Sequence, residues 1–149
     1  MTLQQQVTQA IGLLMQAGIE GPEATTDAKL LARHVLGWDR ATYLVHHQDP
    51  ISDRFGRAYE PLVERRVRRE PISLITARRE FWGLEFTIKP GVLTPRPETE
   101  LLIETSIDLL DRHIDSPLSV ADIGTGSGCL AVSLATTFRH ATVCAVDTS

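Results

Sequence analysis

Three glycines at alternate positions, Gly124, Gly126 and Gly128, follow a short apolar run in "ADIGTGSGCLAV", residues 121–132. Glycine at such a junction lets the chain turn sharply and lets a ligand lie against peptide N–H groups where the next helix begins. Asp122 stands two residues before the first glycine, and Asp147 closes the next apolar run, "ATVCAVD". A dinucleotide loop needs G-x-G-x-x-G, but Cys129 occupies the place of the third glycine, so close approach of a pyrophosphate is disfavoured. A P-loop needs a lysine followed by serine or threonine, and neither pair follows. What remains is a glycine loop that need not hold phosphate, with Asp147 placed at a strand end to accept from ribose hydroxyls. That combination suits the adenosine of S-adenosylmethionine.

These residues need a strand on either side of a helix. "LSVADIG" reads as an apolar, buried strand, "CLAVSLATTF" as a helix and "ATVCAVD" as a second strand, which together open a doubly wound parallel sheet. Upstream, "TPRPETELLIETSIDLLDRH" predicts a helix. Pro97 suits its first turn, Glu98 and Glu100 sit at the positive end of its dipole, and Ile103, Ile107, Leu110 and Ile114 share one face. "REFWGLEFTIKPG" alternates Phe81, Phe86 and Ile88 with polar neighbours around Gly83, the pattern of a β-hairpin or extended connector.

The first half reads as four amphipathic helices. Thr2 and Gln5 form a capping-box pattern ahead of Leu3, Val7, Ala10, Ile11 and Leu14, with Gly18 as the stop. A second helix starts near Pro22, carries Ala28, Leu31, Ala32 and Val35, and stops at Gly37. Asp39 caps a third, "DRATYLVHH". Ser52 caps a fourth, striped by Phe55, Tyr59, Leu62, Val63 and Val67 and ended by Pro71. The stripes can be buried only against one another, which makes a bundle. Two parallel strands alone do not form a sheet that buries both faces, so the chain is expected to be the N-terminal part of a larger protein.

At 42% hydrophobic and 23% charged, the 149 residues have the composition of a soluble globular chain. No apolar run nears the roughly 20 residues of a membrane span. The N-terminus lacks the basic flank and cleavage site of a signal peptide, so the cytoplasm is the expected compartment and no membrane partner is expected. Net charge is −4, which counts against direct nucleic-acid binding. Residues 54–79 run against that total, with Arg54, Arg57, Arg65, Arg66, Arg68, Arg69, Arg78 and Arg79 opposed by Glu60, Glu64 and Glu70. Two readings stand for this stretch: a solvated helix face, or a docking surface for an acidic partner or an RNA-containing assembly.

Cys129 and Cys144 lie inside apolar patterns and read as small core residues rather than a disulfide or metal pair. His46 and His47 are adjacent and would point about 100° apart on a helix, while His34, His113 and His140 are scattered. With no H-x-x-x-H spacing, no metal site is expected. Trp38 and Trp82 read as packing anchors rather than stacking platforms.

The stretch "EFWGLEFTIKPGVLTPRPETELLIE", followed by "ADIGTGSGCLAVSLA" and "AVDTS", resembles the HemK/PrmC family of release-factor glutamine methyltransferases. The segment Pro95-Arg96-Pro97-Glu98-Thr99-Glu100 carries the likeness more specifically than the glycine loop does. The helical first half and its lead-in "ERRVRREPISLITARREFWG" resemble the family's N-terminal substrate-recruiting domain. They differ at Arg69 and Ala77, where glycine is common, and at Leu74, where tyrosine is common.

The resemblance implies an α/β chain: a helical substrate-recruiting domain over residues 1–71, a hairpin connector over 72–95, and the start of a Rossmann-like class I methyltransferase domain over 96–149. It implies that Gly124, Thr125, Gly126, Ser127 and Gly128 wrap the methionine end of S-adenosylmethionine and that Asp147 binds the ribose. Pro95, Arg96 and Pro97 would lie near the site, although Arg96 and Glu98 read equally well as surface charges on a capped helix start. It further implies methylation of a glutamine side-chain amide in a peptide chain release factor. An amide nitrogen is a poor nucleophile because its lone pair is delocalised, so transfer depends on positioning. The family's Asn-Pro-Pro-Tyr motif provides that positioning, and no asparagine occurs in these residues. The catalytic residues are therefore expected downstream of Ser149, and the chain alone is expected to be inactive. Two alternatives remain: an adenine-N6 nucleic-acid methyltransferase, which can share that motif, and a non-catalytic helical binding module.

Overall fold

The computed structural model describes residues 1–110 and 115–148. The chain forms two compact units, Met1–Thr76 and Ala77–Ser149.

The first unit holds α1 (Leu3–Gln16), α2 (Gly21–Leu36), α3 (Arg40–His46), α4 (Asp53–Val67) and α5 (Ile72–Thr76). The capping box of α1 is formed: the Thr2 N–H donates to Gln5 Oε1 at 2.8 Å, and the Gln5 N–H donates to Thr2 Oγ1 at 3.3 Å. Gly37 ends α2 in the left-handed conformation at φ 66. Asp39 caps α3 by accepting the Thr42 N–H at 2.7 Å, and that bond holds its carboxyl below the usual range. Ser52 occupies the N-cap of α4 but makes no side-chain capping bond. Leu3, Val7, Ala10 and Leu14 of α1 meet Ala28, Leu31 and Ala32 of α2 and Phe55, Tyr59 and Val63 of α4 in one core. Ile11, Val35, Leu62, Val67 and Trp38 pack at its edge, half-buried. The Tyr59 hydroxyl donates to the Ala28 carbonyl at 2.9 Å, and its ring stacks on Phe55 at 5.0 Å. Burial there pushes the phenol pKa well above its ordinary value.

Pro71 is not what ends α4. The helix stops at Val67, Arg68 caps it, and Arg69 turns left-handed at φ 66 while its guanidinium donates to the Gly18 carbonyl at 2.8 Å. Pro71 instead opens α5, its carbonyl accepting from Leu74 and Ile75. The five residues of α5 are too few to display a period in the sequence, and they bury Ser73, Ile75 and Thr76. Ala77, with which the second unit begins, is also left-handed, at φ 55. Both departures from the common glycine thus fall where the backbone favours glycine, and each side chain costs about 1 kcal/mol there.

The arginine-rich stretch is largely engaged within the fold. Arg66 is buried and donates from Nε to Asp27 Oδ2 at 2.6 Å, from Nη2 to Glu23 Oε1 at 2.6 Å, and from Nη1 to the Glu70 carbonyl at 3.2 Å. Arg65 forks onto the Glu70 carboxylate, which holds that carboxyl below its usual range. Arg68 pairs with Glu64, and Arg78, in the second unit, with Glu85. Arg54 and Arg57 are exposed.

The second unit holds β1 (Arg78–Phe81), β2 (Leu84–Thr87), a 3-10 turn at Pro97–Thr99, α6 (Glu100–Leu110), β3 (Ser119–Ile123), α7 (Cys129–Thr137) and β4 (Thr142–Val146). β1 and β2 form the expected hairpin, antiparallel with Phe81 opposite Leu84. Pro97 starts a 3-10 turn rather than the α-helix itself. Phe81, Ile103 and Cys129 form the core, edged by Phe86, Ile107 and Leu134. Ile114, expected on the same face as Ile103, and His113 lie outside the described residues.

β3 and β4 pair in parallel, with Ile123 opposite Val146. The first of these strands, expected to be buried, is half-buried on one face only. Ala121, Ile123, Cys144 and Val146 are exposed, alternating along β3 with half-buried Val120 and Asp122, as on a sheet face that no second layer covers. Cys144 is accordingly not a core residue, whereas Cys129 is.

Candidate functional site

The glycine loop runs from the carboxyl end of β3 to the amino end of α7. Gly124, Gly126 and Gly128 all adopt left-handed φ values, 82, 56 and 77. A Cβ built on any of the three would have no neighbour within 4 Å. Conformation therefore requires glycine here, and the space above each one is open. The loop is tied down along its length: the Gly124 and Thr125 N–H groups both donate to the Val146 carbonyl, at 2.8 and 3.0 Å, and the Gly128 N–H donates to the Thr125 carbonyl at 2.9 Å.

Two carboxylates complete the arrangement. Asp122, at the end of β3, accepts the Thr125 hydroxyl at 2.7 Å. Asp147, one residue beyond β4, accepts the Gly126 N–H at Oδ2, also at 2.7 Å. A carboxylate has about four acceptor positions, so that bond does not exhaust its capacity. The structure therefore brings Gly126 and Asp147 together at the carboxyl ends of two adjacent parallel strands, where open α/β sheets bind ligands. Ser127 is half-buried beside them, and Gly128 is the N-cap of α7. An acceptor carboxylate next to a loop with open space above its three glycines suits a ligand carrying vicinal hydroxyls.

Pro95 is buried, whereas Arg96 and Glu98 are exposed, as surface charges at a helix start would be. Glu100 has a partner that the sequence reading missed: its Oε1 accepts the Trp82 N–H at 2.9 Å. No residue type near Trp82 signals that partner, because tryptophan is not among the residues that two-residue hairpin turns favour. His46 Nδ1 lies 2.7 Å from Asp49 Oδ2, and His47 Nδ1 lies 2.8 Å from the Leu44 carbonyl. Among the described residues no group of three or more potential ligands could hold a metal ion. No helix among them is long and apolar enough to cross a membrane. A groove of about 570 Å³ lies between α1 and α4, lined by Ala10, Leu13, Tyr59, Val63 and Val67 and rimmed by Gln6, Gln9, Glu60, Glu64 and Arg68.

Comparison with known proteins follows this division of the chain. The profile of the PrmC N-terminal domain matches residues 5–76, the helical unit with its last helix included. A release factor glutamine methyltransferase of Burkholderia pseudomallei is 46% identical over 128 residues, 86% of this chain and 44% of that protein. Those of Bordetella pertussis and Koribacter versatilis are 42% and 38% identical, covering 83% and 100% of this chain and 45% and 52% of theirs. The chain thus spans about half the length of these curated relatives. From the helical unit through the glycine loop, it belongs to the HemK/PrmC family, to whose N-terminal portion it corresponds.

Proposed function

We propose that this chain supplies the substrate-recruiting unit and the first part of the S-adenosylmethionine site of an enzyme that methylates a glutamine side-chain amide in a peptide chain release factor. The second unit is read as the start of a Rossmann-like methyltransferase domain. The 2.7 Å contact between the Gly126 N–H and Asp147 carries this reading, because it sets a ribose-type acceptor against an open glycine loop. S-adenosylmethionine, when bound, supplies an electrophilic methyl group on a sulfonium. In this reading Asp147 accepts from the ribose hydroxyls, Gly124, Gly126 and Gly128 let the cofactor approach the backbone, and Asp122 steadies the loop through Thr125.

The chain has no asparagine to accept the hydrogens of a substrate amide, so in this reading it binds without completing the transfer. The helical unit recruits the protein substrate. Since Arg65, Arg66, Arg68 and Arg69 are engaged within their own unit, they are not the recruiting surface in this reading. The reading places the protein in the cytoplasm. It disfavours the adenine-N6 alternative, because the net charge is −4 and Arg65, Arg66, Arg68 and Arg78 are already paired with carboxylates.

The test is a titration of the ¹⁵N-labelled chain with S-adenosylmethionine and, separately, with NAD. Saturable shifts of the Gly124–Gly128 amides by S-adenosylmethionine, lost in Asp147→Ala, are expected. Shifts by NAD that need Asp147, with none from S-adenosylmethionine, would return the loop to the dinucleotide class.

A further inference from the structure

The hairpin turn between β1 and β2 is two residues long, Trp82-Gly83, and both have positive φ, 52 and 69. Such turns favour asparagine or glycine at their first position. A tryptophan there is an observed strain, and strain of this kind persists only where the surroundings over-determine it. Here they do, on two sides. The Trp82 N–H donates to Glu100 Oε1 at 2.9 Å, and the indole Nε1–H donates to Thr137 Oγ1 at 3.2 Å.

Thr137 is the last residue of α7, and Cys129 is its first. Cys129 packs with Phe81, next to Trp82 in the hairpin, and with Ile103 of α6, while Leu130 and Leu134 pack at the edge of the same cluster. The hairpin thus holds α7 at both ends, by packing at Cys129 and by the indole bond at Thr137. Gly128, the N-cap of α7, is the last glycine of the loop. A nine-residue helix moves as one body, so its seat also sets where the loop lies.

We infer that Trp82 and Glu100 are positioning residues for the glycine loop: Glu100 fixes the strained turn, and the turn seats α7 so that Gly124–Gly128 are preorganised for ligand. This inference rests on the cofactor-site reading above for the ligand, but not for the loop geometry. It also gives Glu100, the last residue of the Pro95–Glu100 segment, a task distinct from capping its own helix.

The test uses Trp82→Asn in the ¹⁵N-labelled chain. Asparagine suits the turn and so offsets part of the packing lost with the indole at the edge of the Phe81 cluster. At the same time the amide resonances of Gly126 and Gly128 should move without any ligand, and S-adenosylmethionine binding should weaken roughly two- to thirtyfold, the range for coupling through a packed element. Thr137→Val, which removes only the indole's acceptor oxygen, should move the same resonances in the same direction, and it decides the matter if Trp82→Asn does not fold. Unmoved loop resonances in the folded variant overturn the inference. If the resonances move but the wild-type chain does not bind S-adenosylmethionine, the clamp stands and the cofactor reading fails. If the wild type binds and the variant matches it in both readouts, the clamp fails and the cofactor reading stands.

Discussion

The Gly126 N–H and the Asp147 carboxylate are joined by a 2.7 Å hydrogen bond, so the acidic residue at the end of β4 holds the loop that leaves β3. Asp147 is thus both a candidate ligand-binding group and a part of the loop's own structure. Replacing it tests both roles together. Asp147→Ala should weaken S-adenosylmethionine binding about tenfold to a hundredfold, the worth of a hydrogen bond to a charged group. It should also shift the Gly126 amide in the ligand-free chain. Calorimetry reads the first effect and NMR the second, and a Gly126 amide that does not respond would separate the carboxylate from the loop.

Gly126→Val should disable the loop because valine is strained at φ 56, not because it collides with the protein, since nothing lies within 4 Å of its Cβ. Gly126→Asn tolerates left-handed backbone better and should retain more of the binding. Equal losses in the two variants would point to crowding of the ligand instead.

Arg66 and Asp27 are each less than a tenth exposed and lie 2.6 Å apart. Arg66→Met strands the buried Asp27 carboxylate and should destabilise the helical unit by about 3–5 kcal/mol in urea unfolding. Adding Asp27→Leu should recover much of that loss, because the cost lies in the unpaired charge and not in the missing attraction. A double variant as unstable as the single one would show that the pair itself contributes the stability.

Ala77→Gly should raise the stability of the chain by about 0.5–1 kcal/mol, since it relieves a left-handed alanine and gives back part of the gain through the looser unfolded chain. Arg69→Gly should gain less or lose, because its guanidinium holds the Gly18 carbonyl. Thermal melts of the two variants side by side check the ranking.

The Arg65 guanidinium holds the Glu70 carboxyl below its ordinary value. A carboxyl depressed in the folded state stabilises the fold above its unfolded pKa of about 4.3, and that stability is lost as pH falls through the depressed folded value. Glu70→Gln should therefore be less stable than the parent at neutral pH, and the difference should vanish in acid. A difference independent of pH would assign the effect to packing.

Local rules made much of this molecule legible from its residues. Thr2 with Gln5, Gly37 and Asp39 act within one turn of themselves, and the structure places each where its chemistry predicts. The strand, glycine loop, helix and strand order was also readable, because Gly124–Gly128 and Asp147 punctuate two short apolar runs. Pairings across long separations were not legible. Arg66 looks like one more charge on a basic face until its partners, 39 and 43 residues away, are seen. The end of α4 was misplaced because Pro71 is a visible stop signal, whereas Arg69 acts through a conformation that its residue type does not announce. Trp82 reads from its residue type as a packing anchor, and nothing in its neighbours discloses that its backbone N–H belongs to Glu100.

The exposed pair Ile123 and Val146, side by side at the ends of β3 and β4, also bears on how the chain behaves in a test tube. Each of the two strands has one partner strand among the described residues, which leaves the opposite backbone edge of each as a template for another chain. Encounters between such edges grow with concentration, independently of the melting of the helical unit. A lysine in place of Ile123 would act as a gatekeeper against such encounters.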